Sequence, residues 1–201
     1  MRKALTIGEL LITMTVIGVI AVLVLPSLIK DYHSKIYTTK LKKVYETLTD
    51  AMDRACIDNN VTYFNQTSYV AGGADNFNAQ TEFIKKYFRL YNRGNTGSFA
   101  GSYRTINGSD NNGSAAAITG TQAKLQGGEA LALSCETTSL CTVIVDINAT
   151  SGPNIGGRDL FIFKIDTTKN TIIDEGANCG SDNIGTGCLA RIIQDNWTMK
   201  Y

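Results

Sequence analysis

Hydrophobic positions fall into three regimes along the chain. Residues 4–29, ALTIGELLITMTVIGVIAVLVLPSLI, are apolar on every face, with no formal charge between Glu9 and Lys30. A run of this length suits one bilayer-spanning helix. From Lys30 to Asn59 the apolar residues narrow to a stripe. Tyr37, Leu41, Val44, Leu48, Ala51 and Ala55 recur at alternating steps of four and three, the period of one helix face. Lys40, Lys42, Lys43, Asp50 and Asp53 mostly occupy the other faces. Pro26 removes a backbone donor inside the apolar run, which bends a helix without ending it. The pattern predicts one kinked helix over residues 5–58, about 80 Å long and longer than a bilayer is thick. Residues 5–29 are its transmembrane half and residues 30–58 its amphipathic half.

Beyond residue 59 the helical signal breaks up. Residues 60–77 read as a polar loop. Ala79 to Tyr91 restores the helical period, with Phe83, Ile84, Tyr87, Phe88 and Tyr91 on one face and Lys85, Lys86, Arg89 and Arg93 largely opposite. Residues 94–127, rich in Gly, Ser, Asn, Thr and Ala, read as a long surface loop. Short β-favouring runs follow, bounded by turns: Ala130–Leu133, Thr142–Val145, Leu160–Ile165 and Thr171–Ile173. Successive strands without intervening helices predict an antiparallel meander. Leu189–Ile193 reads as a last helical turn before Trp197, the single tryptophan, placed to cap the core. The fold class is therefore α+β, a long N-terminal helix packed on a small antiparallel sheet.

Composition sharpens the boundary near residue 59. All sixteen asparagines lie from Asn59 onward, with seventeen of the nineteen glycines. The first part is helix and residues 59–201 are a turn-rich globular head. A net charge of +1 gives no global field that would draw the chain to nucleic acid. The basic and aromatic residues of the second helix match phosphate contact and stacking in type, but their helical spacing assigns the aromatics to core. DNA is not expected as a partner.

The start of the chain carries a denser pattern. A basic leader, Met1-Arg2-Lys3-Ala4, precedes Leu5-Thr6-Ile7-Gly8-Glu9, and Glu9 stands alone at the edge of the apolar run. An ionised side chain near the centre of a bilayer helix costs about 2.5–3.5 kcal/mol, so an unneeded one is unfavourable. A cleaved signal peptide has a shorter apolar core followed by a small-residue site. Here the run continues into the amphipathic stripe instead. Leader, Glu9 and Pro26 together resemble the prepilin-type processing motif of type IV pilins and type II secretion pseudopilins, with Ala4 in place of the usual Gly and Leu5 in place of the usual Phe.

The resemblance implies cleavage between Ala4 and Leu5 by a prepilin peptidase and methylation of the new N-terminus. It also implies that Glu9 and Pro26 serve assembly. The expected function is a structural, non-enzymatic filament subunit stored in the inner membrane as a single-pass protein with an exported head, and later part of an extracytoplasmic filament. Its partners would be identical or sibling subunits, the peptidase, an inner-membrane assembly platform with its ATPase, and membrane lipid. Two other readings stay open: a minor pilin whose head binds DNA or a surface ligand, and a membrane-anchored ectodomain that never polymerises. Lys30, Lys35, Lys40, Lys42 and Lys43 follow the span closely and oppose export by the positive-inside rule. The leader and the cysteines favour it.

Five cysteines in an exported chain indicate an oxidising compartment. Short separations predict disulfides Cys135–Cys141 and Cys179–Cys188, leaving Cys56 unpaired. Catalytic signals are sparse. His33 is the single histidine, just beyond the apolar run, and the cysteine gaps do not match zinc knuckles. The Gly152–Arg158 stretch lacks the Lys-Ser/Thr that completes a P-loop. Asp146, Asn148 and Thr150, followed by a Gly-rich turn and Asp159, resemble the opening of a calcium loop, although the Gly and Glu of an EF-hand are missing. Calcium on Asp146, Asn148 and Asp159 is the metal expected if one binds, and no other cofactor is expected. The other reading is a strand-connecting turn held by Asx hydrogen bonds.

Overall fold

The computed structural model describes residues 6–70, 77–91, 99–111, 120–174, 179–180 and 184–201. Ala4, Leu5 and Arg93 lie outside these residues. The first element, α1, is a single 52-residue helix, Ile7–Asp58, with Pro26 inside it. Its end follows from local chemistry. Asn60 takes a left-handed conformation (φ 53°), the Asn60 amide donates to the Ile57 carbonyl and the Val61 amide to the Cys56 carbonyl, both at 3.0 Å. This is the Schellman pattern, with asparagine where glycine is commoner.

The chain divides between Ile36 and Tyr37 into two compact units. The amphipathic half of α1 from Tyr37 onward thus belongs with the head, whereas the composition shift alone sets that boundary at residue 59. In the first unit the apolar side chains of Ile7–Ile29 face outward, among them Ile7 at 81% and Val22 at 73% exposure.

The second unit is built on a five-stranded antiparallel sheet. A 3-10 turn (Phe64–Gln66) and helix α2 (Phe77–Tyr87) follow α1. Then come a small hairpin, β1 (Tyr103–Arg104) with β2 (Asp110–Asn111), and the meander β3 (Thr121–Lys124), β4 (Ala130–Cys135), β5 (Leu140–Asp146), β6 (Leu160–Asp166) and β7 (Thr171–Ile173). A last helix, α3, spans Cys188–Gln194. The sheet order is β3-β4-β5-β6-β7, each strand antiparallel to its neighbour. The α+β layout expected from the sequence is the one observed.

Alternation along the strands explains the burial. Leu131, Leu133, Val143, Val145, Phe161 and Phe163 enter the main core with Leu41, Val44, Leu48, Met52 and Ala55 of α1. Their neighbours Ala132, Ile144 and Leu160 point to the opposite face and form a smaller cluster with Tyr103. A strand period of two delivers one apolar set to each face, so even β4 is buried throughout.

Three sequence expectations change here. The polar loop at 60–77 contains two core residues, Phe64 and Val70, both fully buried. Asn170 in the β6–β7 turn holds that segment, accepting from the Phe64 amide at 2.7 Å and donating to the Thr62 carbonyl at 3.0 Å. The long loop at 94–127 contains β1, β2 and β3. Strand β3 is polar in composition, and register against β4 over Thr121↔Leu133 to Lys124↔Ala130 makes it a strand. Tyr91 lies beyond the end of α2 and is 68% exposed, so it is not part of the aromatic core face. Phe83, Ile84 and Phe88 are buried as the helical spacing predicts. Trp197 packs edge-on against Tyr45 of α1, ring centroids 5.5 Å apart, and so covers part of the core.

Candidate functional site

Two places carry the residues singled out by sequence: the start of α1 and the β5–β6 connection. At the start of α1, the Thr6 amide and hydroxyl each donate to Glu9 Oε2 at 2.9 Å, while the Glu9 amide donates to the Thr6 hydroxyl at 3.3 Å. Reciprocal bonds between a threonine and a glutamate three residues on form a capping box, which satisfies amides that the first helical turn leaves without partners. Glu9 therefore has a local structural role that the sequence reading did not assign to it. The Thr6-x-x-Glu9 spacing carried that signal. Pro26 sits in the exposed apolar half of α1. The helix that contains it is long and apolar enough to span a membrane.

The β5–β6 connection, residues 147–159, draws its polar groups inward. Asp146 and Asp159 are both fully buried. Tyr103 donates its hydroxyl to Asp146 Oδ2 at 2.5 Å, and the Asn148 amide donates to Asp146 Oδ1 at 3.0 Å. Asp159 accepts from the Asn154 amide at 2.7 Å and the Ile155 amide at 2.5 Å. The Asn148 bond to Asp146 is the Asx bond of the turn reading, whereas Asp159 closes the turn from its far end by accepting from residues four and five before it. The turn is further tied to β1, where the Arg104 amide donates to the Asn154 carbonyl and the Gly156 amide to the Arg104 carbonyl, both at 2.8 Å. Gly157, in the left-handed region (φ 79°), passes so close to the Cys179–Cys188 bridge that a Cβ would approach Cys188 Sγ to 2.7 Å.

Burial dominates the electrostatics of this turn. It lifts Asp146 to about 7, with the Tyr103 hydroxyl bond opposing the rise and the charge of Asp159 adding to it. Asp159 is raised by burial too, against the pull of the Ile155 and Asn154 amides. Neither carboxylate has an ion pair among the described residues. Asn148 Oδ1 and Asn154 Oδ1 are buried without a hydrogen-bond partner. Two carboxylates without a cation and two orphaned amide oxygens in one connection fit a hard, oxygen-binding cation such as calcium. Asp146, Asn148, Asn154 and Asp159 are the residues that would hold it. Asn154 was missed by the sequence reading, since its only signal was its place in the turn, and so was Tyr103, 43 residues before Asp146.

The cysteines form bridges Cys135–Cys141 and Cys179–Cys188, and Cys56 is free and buried. The first bridge joins residues directly opposite in the β4–β5 register. His33 lies on the first unit's part of α1 beside the Tyr32 ring. Among the described residues no three or more His, Cys, Asp or Glu side chains gather to hold a metal. No family model, no curated protein and no solved structure matches the chain.

Proposed function

We propose that this chain is the structural subunit of a type IV pilus-like or type II secretion pseudopilus filament. In this reading a prepilin peptidase cuts between Ala4 and Leu5, and subunits assemble through their N-terminal helices. The observation that carries it is α1, whose first half exposes every large apolar side chain from Ile7 to Ile29. Such a surface needs lipid before assembly and neighbouring helices after it. Storage in the inner membrane, with the head exported and an ATPase-driven platform extracting the subunit, is what the resemblance of the leader, Glu9 and Pro26 implies. The role is structural and non-enzymatic.

Glu9 is the residue on which the mechanism turns. Cleavage would free the amine of Leu5, and in the filament Glu9 would pair with the amine of a neighbouring subunit. A subunit added in the wrong register would leave both charges unpaired in an apolar setting, which is costly. The capping box shows that Glu9 also bonds within its own helix, so the test must separate the two roles. Glu9→Gln keeps a capping side chain at that position and removes the charge. In the native host, the processed Glu9→Gln subunit is expected to fall about tenfold or more in sheared filaments relative to membranes, equivalent to roughly 1.4 kcal/mol. Normal filament content of the processed variant would sink charge pairing. Mass spectrometry showing only the intact Met1 form in a peptidase-bearing host would overturn the filament-subunit reading itself.

A further inference from the structure

A cleft of about 470 Å³ opens in the second unit between α1, the residues leaving α2 and the β3–β4 turn. Its apolar floor is Val44, Phe88 and Leu125, all buried. Its rim is charged and the charges do not balance. Glu129, 3% exposed, is paired with Lys40 at 3.8 Å, and Asp50 with Arg54 at 2.8 Å. Lys43 and Arg89 line the same cleft, are exposed, and have no ion pair or side-chain hydrogen bond among the described residues. With Glu129 neutralised by Lys40, which stands outside the lining, and Asp50 by Arg54 within it, Lys43 and Arg89 leave an excess of two positive charges. Tyr87, the remaining titratable group of the lining, donates its hydroxyl to Asp58 at 2.8 Å, and its pKa is raised by burial, so it stays neutral.

The rim is also held in place. The Arg89 carbonyl accepts from the Gln126 amide and the Lys124 carbonyl from the Tyr91 amide, both at 2.9 Å, so Arg89 projects from backbone bonded to the β3–β4 turn. Lys43 rises from α1 next to buried Val44. A guanidinium on anchored backbone, an ammonium and an apolar floor line a cavity in the size range of small-molecule sites. Arginine matches phosphate oxygens two at a time, and lysine adds a point charge.

We propose that this cleft binds a phosphate monoester with an apolar substituent. The dianion would sit between Lys43 and Arg89, and the substituent on Val44, Phe88 and Leu125. The excess of two positive charges matches the charge of the ligand. The same chemistry is offered by a soluble phosphate ester and by a phosphatidic acid headgroup. The site does not depend on the filament reading, since it uses only groups of the second unit.

The test uses the full chain in phosphatidylcholine nanodiscs, titrated calorimetrically with n-hexyl phosphate at low salt, with n-hexanol as the uncharged control. Saturable single-site binding of the phosphate is expected, weakening as salt screens the rim. Lys43→Ala and Arg89→Ala should each raise Kd about tenfold, the loss expected for a charge-assisted bond. Arg89→Lys should fall between Arg89→Ala and the unaltered chain, and Lys169→Ala in the β6–β7 turn should change nothing. Both cleft side chains are exposed, so unchanged melting temperatures should show that the variants fold. In a second arm, phosphatidic acid in the nanodisc either competes with hexyl phosphate, which assigns the site to a lipid headgroup, or does not, which assigns it to a soluble ester. Absence of saturable heat, or equal affinity in the Lys43→Ala/Arg89→Ala double variant, overturns the proposal.

Discussion

Ile7–Ile29 and Tyr37–Asp58 are two stretches of one helix with opposite relations to water. In the first, Leu11, Ile17 and Leu23 are exposed by 62–73%. In the second, Leu41, Leu48, Met52 and Ala55 are at most 1% exposed. The backbone is the same, so helix formation does not distinguish them. What differs is where the apolar side chains stand around the axis. A stripe can be covered by one sheet, and the head supplies that sheet. A cylinder that is apolar all round exceeds what one small head can cover, and its burial must come from outside the chain.

The largest expected effect tests this contrast directly. Leu48→Ala removes a side chain that is 1% exposed in the main core and should cost about 2–5 kcal/mol. Ile17→Ala, at a 62% exposed position, should change head stability by less than about 0.5 kcal/mol. Denaturant unfolding of the full chain in detergent, followed by Trp197 fluorescence, measures both. A similar loss from the two substitutions would break the comparison.

A smaller effect comes from the covalent ties, which belong to the second unit alone. Replacing Cys135 and Cys141 together by serine opens a bridge with a sequence separation of 6. The loop-entropy model puts the loss at about 2–3 kcal/mol. Hydrogen exchange should quicken in β4 and β5 and stay unchanged over Ile7–Ile29. Peptide mapping without reduction should recover Cys135–Cys141 and Cys179–Cys188, and a crosslink involving Cys56 would contradict the pairing.

The smallest expected effect concerns calcium. At a free concentration tenfold above its Kd, calcium would stabilise the head by about 1.4 kcal/mol. A thermal melt of the full chain should rise with calcium, not with magnesium, and the rise should vanish in Asp159→Asn. No shift at millimolar calcium would leave Asp146 and Asp159 as the anchors of a turn and nothing more.

Local patterns were legible where neighbours in sequence decide the outcome. The two regimes of α1, the apolar runs of β4 to β6 and the buried face of α2 follow from a period of 3.6 or 2, and the end of α1 follows from the local chemistry of Asn59-Asn60. The cysteine partners were legible because each pair is close along the chain. Glu9 was partly legible. Its isolation at the edge of an apolar run suggested assembly, while its capping bond to Thr6 was present in the spacing but was overshadowed by the cost of the charge.

The sequence by itself determined that a long helix, apolar all round and then striped, precedes an antiparallel head, because periodicity writes the direction of each side chain into the chain. Only the tertiary structure decided what those faces meet. Thr121–Lys124 is a strand because β4 offers it hydrogen bonds, and Phe64 is core because Asn170, 106 residues away, fixes its amide. Tyr103 reaches Asp146, and Asn154 is placed beside Asp159, through the pairing of β1 with the β5–β6 turn. Lys43 and Arg89 share a cleft for the same reason, since contacts between distant segments depend on how the chain closes and leave no periodic trace in either segment.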